Sequence, residues 1–137
     1  MDVSPILIYM LDCPFCLETA HPYGDILTTN GHAYLITNPD AVLQASLMII
    51  PLRHVETPFD LNDAEWKATK LLLDEAKSWL DGQGAEGYTV GWNVGAVAGQ
   101  HVPHAHLHVI GRFSDEPLAG RGLRHALKQP ENRRPQK

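Results

Sequence analysis

The segment His101-Val-Pro-His104-Ala-His106-Leu-His108, continued by Val109 and Ile110, constrains the fold more than any other stretch, and it holds four of the chain's eight histidines. Side chains alternate between the two faces of a β-strand. An extended conformation therefore sends His104, His106 and His108 to one face and Ala105, Leu107 and Val109 to the other. The apolar set calls for a buried sheet face. Three imidazoles on the opposite face serve no packing purpose unless they form a polar face packed on other side chains. Imidazole acts as a nucleophile, an acid/base or a metal ligand near neutral pH, so the chemistry is expected along this row.

The remaining elements follow from periodicity and punctuation. Residues 25–29 and 33–37 are β-prone runs joined by Asn30-Gly31, the strongest short-range hairpin signal. Residues 46–50 read as a third strand, stopped by Pro51. Asn62 and Glu65 have capping-box spacing. Trp66, Leu72, Leu73, Ala76, Trp79 and Leu80 then form the apolar stripe of a helix that Gly82 ends, and these side chains are expected in the core. Residues 88–93 read as a fourth strand, and the glycine-containing loop 95–100 leads into the histidine row. This order predicts an α+β domain: an antiparallel five-stranded sheet with one long helix and short N- and C-terminal segments.

Residues 1–113 are expected to form that domain and residues 114–137 a partly mobile C-terminal extension. The formal net charge of −5 argues against a nucleic-acid-binding surface. The only basic run, from Arg121 to Lys137, is mixed with Pro, Gln and Glu and reads as a solvated tail. No apolar stretch approaches the ~20 residues needed to cross a bilayer, so no membrane role is expected. Residues 5–11 are apolar but short and acidic at their flanks, unlike a signal peptide, which makes a cytoplasmic protein the expectation. Both cysteines of the chain fall in Cys13-Pro-Phe-Cys16. By spacing alone this pair is a redox dithiol, half of a zinc site, or coincidence.

The run His104-Ala-His106-Leu-His108-Val-Ile110 follows the pattern His-φ-His-φ-His-φ-φ, where φ is apolar. Together with Asn93-x-Gly95, Gly99-Gln100, Ile49-Ile-Pro-Leu-Arg-His54 and Cys13-Pro-Phe-Cys16, it makes the chain resemble the histidine triad family over roughly residues 12 to 113. The resemblance implies a nucleotide hydrolase or transferase acting at the α-phosphate of nucleoside phosphoramidates or dinucleoside polyphosphates. His106 would form a covalent nucleotidyl-histidine intermediate, and a backbone carbonyl near His104 would fix its tautomer. His108 would bond the phosphate oxygens. Asn93, Gly99 and Gln100 would hold the phosphate and ribose of a purine nucleotide, with Phe15 and Ile36 either sandwiching the base or packing in the core. Asn38 stands where the family usually has Asp, which keeps an acceptor for the ribose but loses the charge. His101 stands where the family often has Ser or Thr, and is either a general acid or a surface residue without a role.

The resemblance also implies structural zinc on Cys13, Cys16, His54 and His104. A closed set of two thiolates and two imidazoles is how structural zinc is held, and no catalytic metal is expected. His21, His32 and His125 match no pattern and are expected on the surface. Most relatives are homodimers, so Trp66 or Trp79 would lie between chains, and residues near the C-terminus would reach the partner's site, with Arg112 to Arg124 contributing to substrate choice. Two rival functions remain open. A metal-dependent hydrolase using the histidines as ligands would need a further ligand and an open coordination position, for which the chain shows no recognisable motif. A nucleotide-binding or scaffold protein would bind without turnover.

Overall fold

The computed structural model describes residues 13–16 and 24–136. The apolar run 5–11 and His21 lie outside the described residues. Five strands form one antiparallel sheet: β1 (Ile26–Thr29), β2 (Ala33–Thr37), β3 (Ser46–Pro51), β4 (Gly87–Trp92) and β5 (Leu107–Arg112), in the order β1-β2-β3-β5-β4. One long helix, α1 (Asp63–Gly82), connects β3 to β4, and a short helix, α2 (Leu123–Leu127), follows β5. This is the α+β architecture expected from the sequence. Among the described residues, no helix is long and apolar enough to cross a membrane.

The punctuation works through specific hydrogen bonds. At the β1–β2 turn, Asn30 Oδ1 accepts from the backbone N–H of His32 and Ala33, while its Nδ2 donates to the Ala68 carbonyl at 3.0 Å. One side chain thus closes the hairpin and ties it to α1. Gly31 supplies the positive φ of 86° that the turn needs. At the start of α1, the Glu65 N–H donates to Asn62 Oδ1 and the Asn62 N–H donates to Glu65 Oε1, both at 2.9 Å, a reciprocal capping box.

The sheet is covered on both faces. Leu35, Leu47, Ile49, Leu107 and Val109 pack against Ala68, Leu72, Ala76 and Leu80 of α1. On the other face, Tyr34, Ile36, Met48 and Ile50 pack against Cys13, Phe15 and Cys16. This is why β3 is buried along its whole length and reads as a continuous apolar run rather than an alternating one. It also corrects the expectation that the histidine face lacks a packing role, because the Cys13–Cys16 segment covers it.

Trp66 departs from the expected core. It is 45% exposed and meets Trp92 edge-on, with ring centroids 6.0 Å apart. The buried stripe of α1 runs instead through Glu65, Ala68, Thr69, Leu72, Ala76 and Leu80, and position 66 falls one residue off it. The two polar members of the stripe are satisfied: Glu65 binds Arg53, and Thr69 Oγ1 donates to the Glu65 carbonyl. Leu73 and Trp79 are partly buried against the core, as the stripe implies.

Candidate active site and metal centre

The strand carrying the histidines begins later than the motif does. β5 starts at Leu107, so His106 precedes it and His104 sits in a bend. The cause lies at Pro103, which offers no N–H to a ladder. The chain folds back there, and the His104 N–H donates to the Val102 carbonyl at 2.8 Å. Ala105, Leu107 and Val109 are all buried, as expected, but burial alternates only within β5, since His104 and His106 in the bend are buried as well.

His106 is held from two sides. A carbonyl only accepts, so the 2.8 Å contact between His106 Nδ1 and the His104 oxygen places the proton on Nδ1. The lone pair is then on Nε2. The Phe15 ring packs against the imidazole in an edge-to-face arrangement, with centroids 4.8 Å apart. The His108 ring also meets it in an edge-on arrangement, with centroids 5.0 Å apart. Burial lowers the pKa of His106, and the nearby His101 disfavours its protonation further, so the ring is neutral at pH 7. His108 is likewise shifted down, first by burial and then by His106.

His104 faces a different task. It is fully buried, and its Nε2–H donates to the Pro51 carbonyl at 2.8 Å. Burial pushes its pKa down to about 4, so a second ring proton is absent at neutral pH and Nδ1 presents a lone pair. That atom lies 3.4 Å from Cys13 Sγ, 3.7 Å from Cys16 Sγ and 3.2 Å from His54 Nδ1. Cys16 Sγ and His54 Nδ1 are 3.2 Å apart.

Cys13, Cys16, His54 and His104 therefore form a Cys2His2 cluster whose four donor atoms lie within 4.8 Å of one another. Tetrahedral bonds of about 2.0 Å to nitrogen and 2.3 Å to sulfur set neighbouring donors roughly 3.3–3.8 Å apart, and four of the donor pairs, at 3.2–3.7 Å, match that spacing. The Pro51 bond is the kind of outer contact that fixes the tautomer and orientation of a metal-binding histidine.

The other site residues expected from sequence are placed less directly. Phe15 and Ile36 are both buried in the cluster on the histidine face. Asn38 is half-buried at the end of β2, its N–H bonded to the Ser46 carbonyl. Asn93 is exposed just beyond β4, and His101 is exposed beside the bend. Gln100 braces its own loop: Oε1 accepts from the Gly95 N–H, and Nε2 donates to the carbonyls of Glu56 and Val102. Gly99 closes the preceding 3-10 turn with φ at 91°. His32 and His125 are exposed, as expected.

Two residues escaped the sequence reading. Tyr34 is fully buried, and its hydroxyl donates to the Phe15 carbonyl at 2.6 Å, anchoring the cysteine segment. Burial, together with Cys13 and Cys16, raises its pKa and keeps that donor protonated. Arg53, beside His54, makes paired bonds to Glu65 at 3.1 and 2.7 Å and reaches the Asp60 carbonyl. It thereby ties the His54 loop to the start of α1. An apolar-flanked Tyr on a strand and an Arg in a loop carry no local signal for either role.

Comparison with known proteins agrees with this geometry. The chain is 28% identical over 117 residues to the nitrilase and fragile histidine triad fusion protein NitFhit of Caenorhabditis elegans, covering 82% of this chain but only 26% of that protein. It is 29% identical to an uncharacterised 16.1 kDa HIT-like protein of Mycoplasma pneumoniae, over 76% of this chain and 70% of the relative. A solved HIT family hydrolase from Legionella pneumophila superposes with a TM-score of 0.57 at 29% identity, covering 77% of this chain and 98% of that one. A hypothetical protein from Leishmania major superposes at 0.66 with 23% identity, over 77% and 76% of the two chains, and shares the fold. The Cys2His2 cluster fits the zinc-binding branch of these proteins. The HIT domain matches residues 20–115, and the chain belongs to the histidine triad, or HIT, family.

Proposed function

We propose that this protein is a nucleotide hydrolase that cleaves at the α-phosphate of nucleoside phosphoramidates or dinucleoside polyphosphates, with His106 as nucleophile. The observation that carries the proposal is the His106 Nδ1–His104 oxygen bond, which leaves a neutral ring with its Nε2 lone pair available. In the first step Nε2 bonds to phosphorus and the bond to the leaving group breaks. The departing atom takes a proton from His101 or from solvent. Water then attacks the phosphoramidate, the nucleoside monophosphate leaves, and Nε2 regains its lone pair. His108 donates to phosphate oxygens as charge builds on them. Asn93, Asn38 and the backbone at Gly99 hold the α-phosphate and ribose, while Gln100 keeps that loop in shape and Phe15 and Ile36 wall the base side.

Zinc is the ion we assign to Cys13, Cys16, His54 and His104. When bound it supplies a closed cross-link between the cysteine segment and the bend, and offers no open position for water. The protein is read as a cytoplasmic homodimer without nucleic-acid or membrane partners. Support for self-association comes from the edge strand β4 and an apolar groove of about 280 Å³ lined by Trp66, Leu73, Val90 and Trp92. A Trp66→Glu variant should sediment as a monomer, whereas a wild-type monomer would end the dimer reading.

The deciding experiment is turnover of adenosine phosphoramidate and of diadenosine polyphosphates by wild type and His106→Ala. The variant should be at least ~1000-fold slower on its substrate. A rapidly quenched reaction with labelled substrate should leave an acid-labile nucleotide on His106. Binding without turnover or adduct would instead support the scaffold alternative. Prompt inactivation by a chelator, reversed by metal while the fold persists, would support a metal-dependent hydrolase.

A further inference from the structure

Charge is segregated sharply along this chain. Residues 121–137 contain six of the eleven Lys and Arg but one of the sixteen acidic residues, so the rest of an otherwise acidic molecule carries the balance. The fold does not leave this basic segment away from the histidines. Arg112, on the His108 face of β5, donates through its guanidinium to the carbonyls of Leu118 and Arg121 at 3.2 and 2.7 Å. Its Nε also binds Glu116, and Nη1 reaches Thr89 on β4. The chain leaving β5 is thereby clamped back across the sheet.

From Arg121 it runs toward the triad. Gly91 of β4 is paired directly with His108 of β5, and directly paired residues of an antiparallel ladder present their side chains on the same face. A Cβ built at Gly91 would lie 3.5 Å from Leu123 Cδ1. The first residue of α2 therefore rests on the sheet beside His108. Arg124 and Lys128 follow on α2 and its end, four residues apart and so on one side of the helix, and both are exposed.

We propose that Arg121, Arg124 and Lys128 form a docking site for the phosphate chain on the leaving side of the substrate. The chain would thus select polyphosphorylated leaving groups over amines. The inference rests on the hydrolase reading for its substrate, and deepens it by naming the leaving-group class. The physical basis is that cations beside a reaction centre raise the local concentration of an anionic ligand, an effect that salt screens. An amine leaving group has no charge there to be drawn in.

The test compares diadenosine tetraphosphate with adenosine phosphoramidate, using wild type, Arg124→Gln/Lys128→Gln and Arg124→Lys/Lys128→Arg. In the Gln variant the ratio of kcat/KM for the two substrates should shift about tenfold against the tetraphosphate, and its salt dependence should flatten. The charge-conserving variant should restore the ratio. An unchanged ratio, or an equal fall for both substrates, overturns the proposal while leaving the hydrolase reading intact. Binding of inorganic tripolyphosphate, followed by calorimetry, gives an arm independent of turnover. Wild type should bind it about tenfold more tightly than the Gln variant at low salt, and equal affinities overturn the docking site even for a protein that turns over neither nucleotide.

Discussion

The Tyr34 hydroxyl reaches from β2 to the Phe15 carbonyl, a 2.6 Å bond between two buried residues nineteen positions apart. Phe15 lies between the two cysteines and its ring packs on His106. This bond from the sheet thus helps to hold the segment that carries two of the candidate metal donors and one wall of the His106 ring.

Tyr34→Phe removes the donor but keeps the ring. A buried carbonyl then loses a partner, a loss of about 1–3 kcal/mol. Urea denaturation should show a lower midpoint at an unchanged slope, and zinc should be released faster to a colorimetric chelator. A midpoint equal to wild type would mean the segment is held without this bond.

Removing the zinc proposed for the Cys2His2 cluster should act on stability before chemistry. The Cys2His2 cluster joins residues 13 and 16 to 54 and 104, which are distant in sequence. A ligand that binds only the folded state stabilises it by mass action, and its loss should lower the thermal midpoint by roughly 5–10 °C. Activity measured well below that midpoint should fall far less. An enzyme that loses all turnover with its midpoint unmoved would contradict the structural role.

Glu65 should give the fold an acid-sensitive term. Its pKa is lowered, first by the hydrogen bond from Arg53 and also by the Asn62 N–H, against the opposing effect of burial. A depressed carboxylate stabilises the fold above its unfolded pKa of about 4.3, and that contribution is lost as pH falls through the folded value. Wild-type stability should therefore decline more steeply than that of Glu65→Gln below about pH 4.3. Parallel curves in chemical denaturation would show that the pair contributes nothing, which half-exposed ion pairs often do.

Gly24→Ala should loosen the β1 edge. An added Cβ would sit 1.9 Å from the Thr37 carbonyl oxygen, so the backbone must move. The two bonds between Asp25 and Thr37, at 3.0 and 2.8 Å, are the ones at risk. A loss of roughly 2–4 kcal/mol is expected. Hydrogen exchange should speed up at Thr37 and leave β5 unaffected. Wild-type stability would show that the edge accommodates the methyl group.

Local patterns determined much of this protein from sequence. Asn30-Gly31 specified the hairpin, Asn62 and Glu65 specified the helix start, and the alternation of Ala105, Leu107 and Val109 specified a buried face. Each is a short-range rule of backbone geometry, readable within a few residues. The histidine spacing, with Cys13, Cys16 and His54, was legible for a related reason: a metal or phosphate site needs particular donor types, and here these stand out in the sequence.

Tertiary structure alone decided the rest. Only the fold brings Tyr34 to Phe15, Arg53 to Glu65 and Pro51 to His104, because these bonds join residues far apart in sequence through contacts any polar side chain could make. It also turned Gln100 inward to brace its loop and left Trp66 exposed, since a one-residue offset from the helical stripe rotates a side chain about 100° from its neighbour. The placement of Leu123 against Gly91, the residue paired with His108, goes with Arg112 binding distant carbonyls in the same way. A pattern in sequence fixes which face a residue takes on its own element, whereas the packing of elements decides what that face meets.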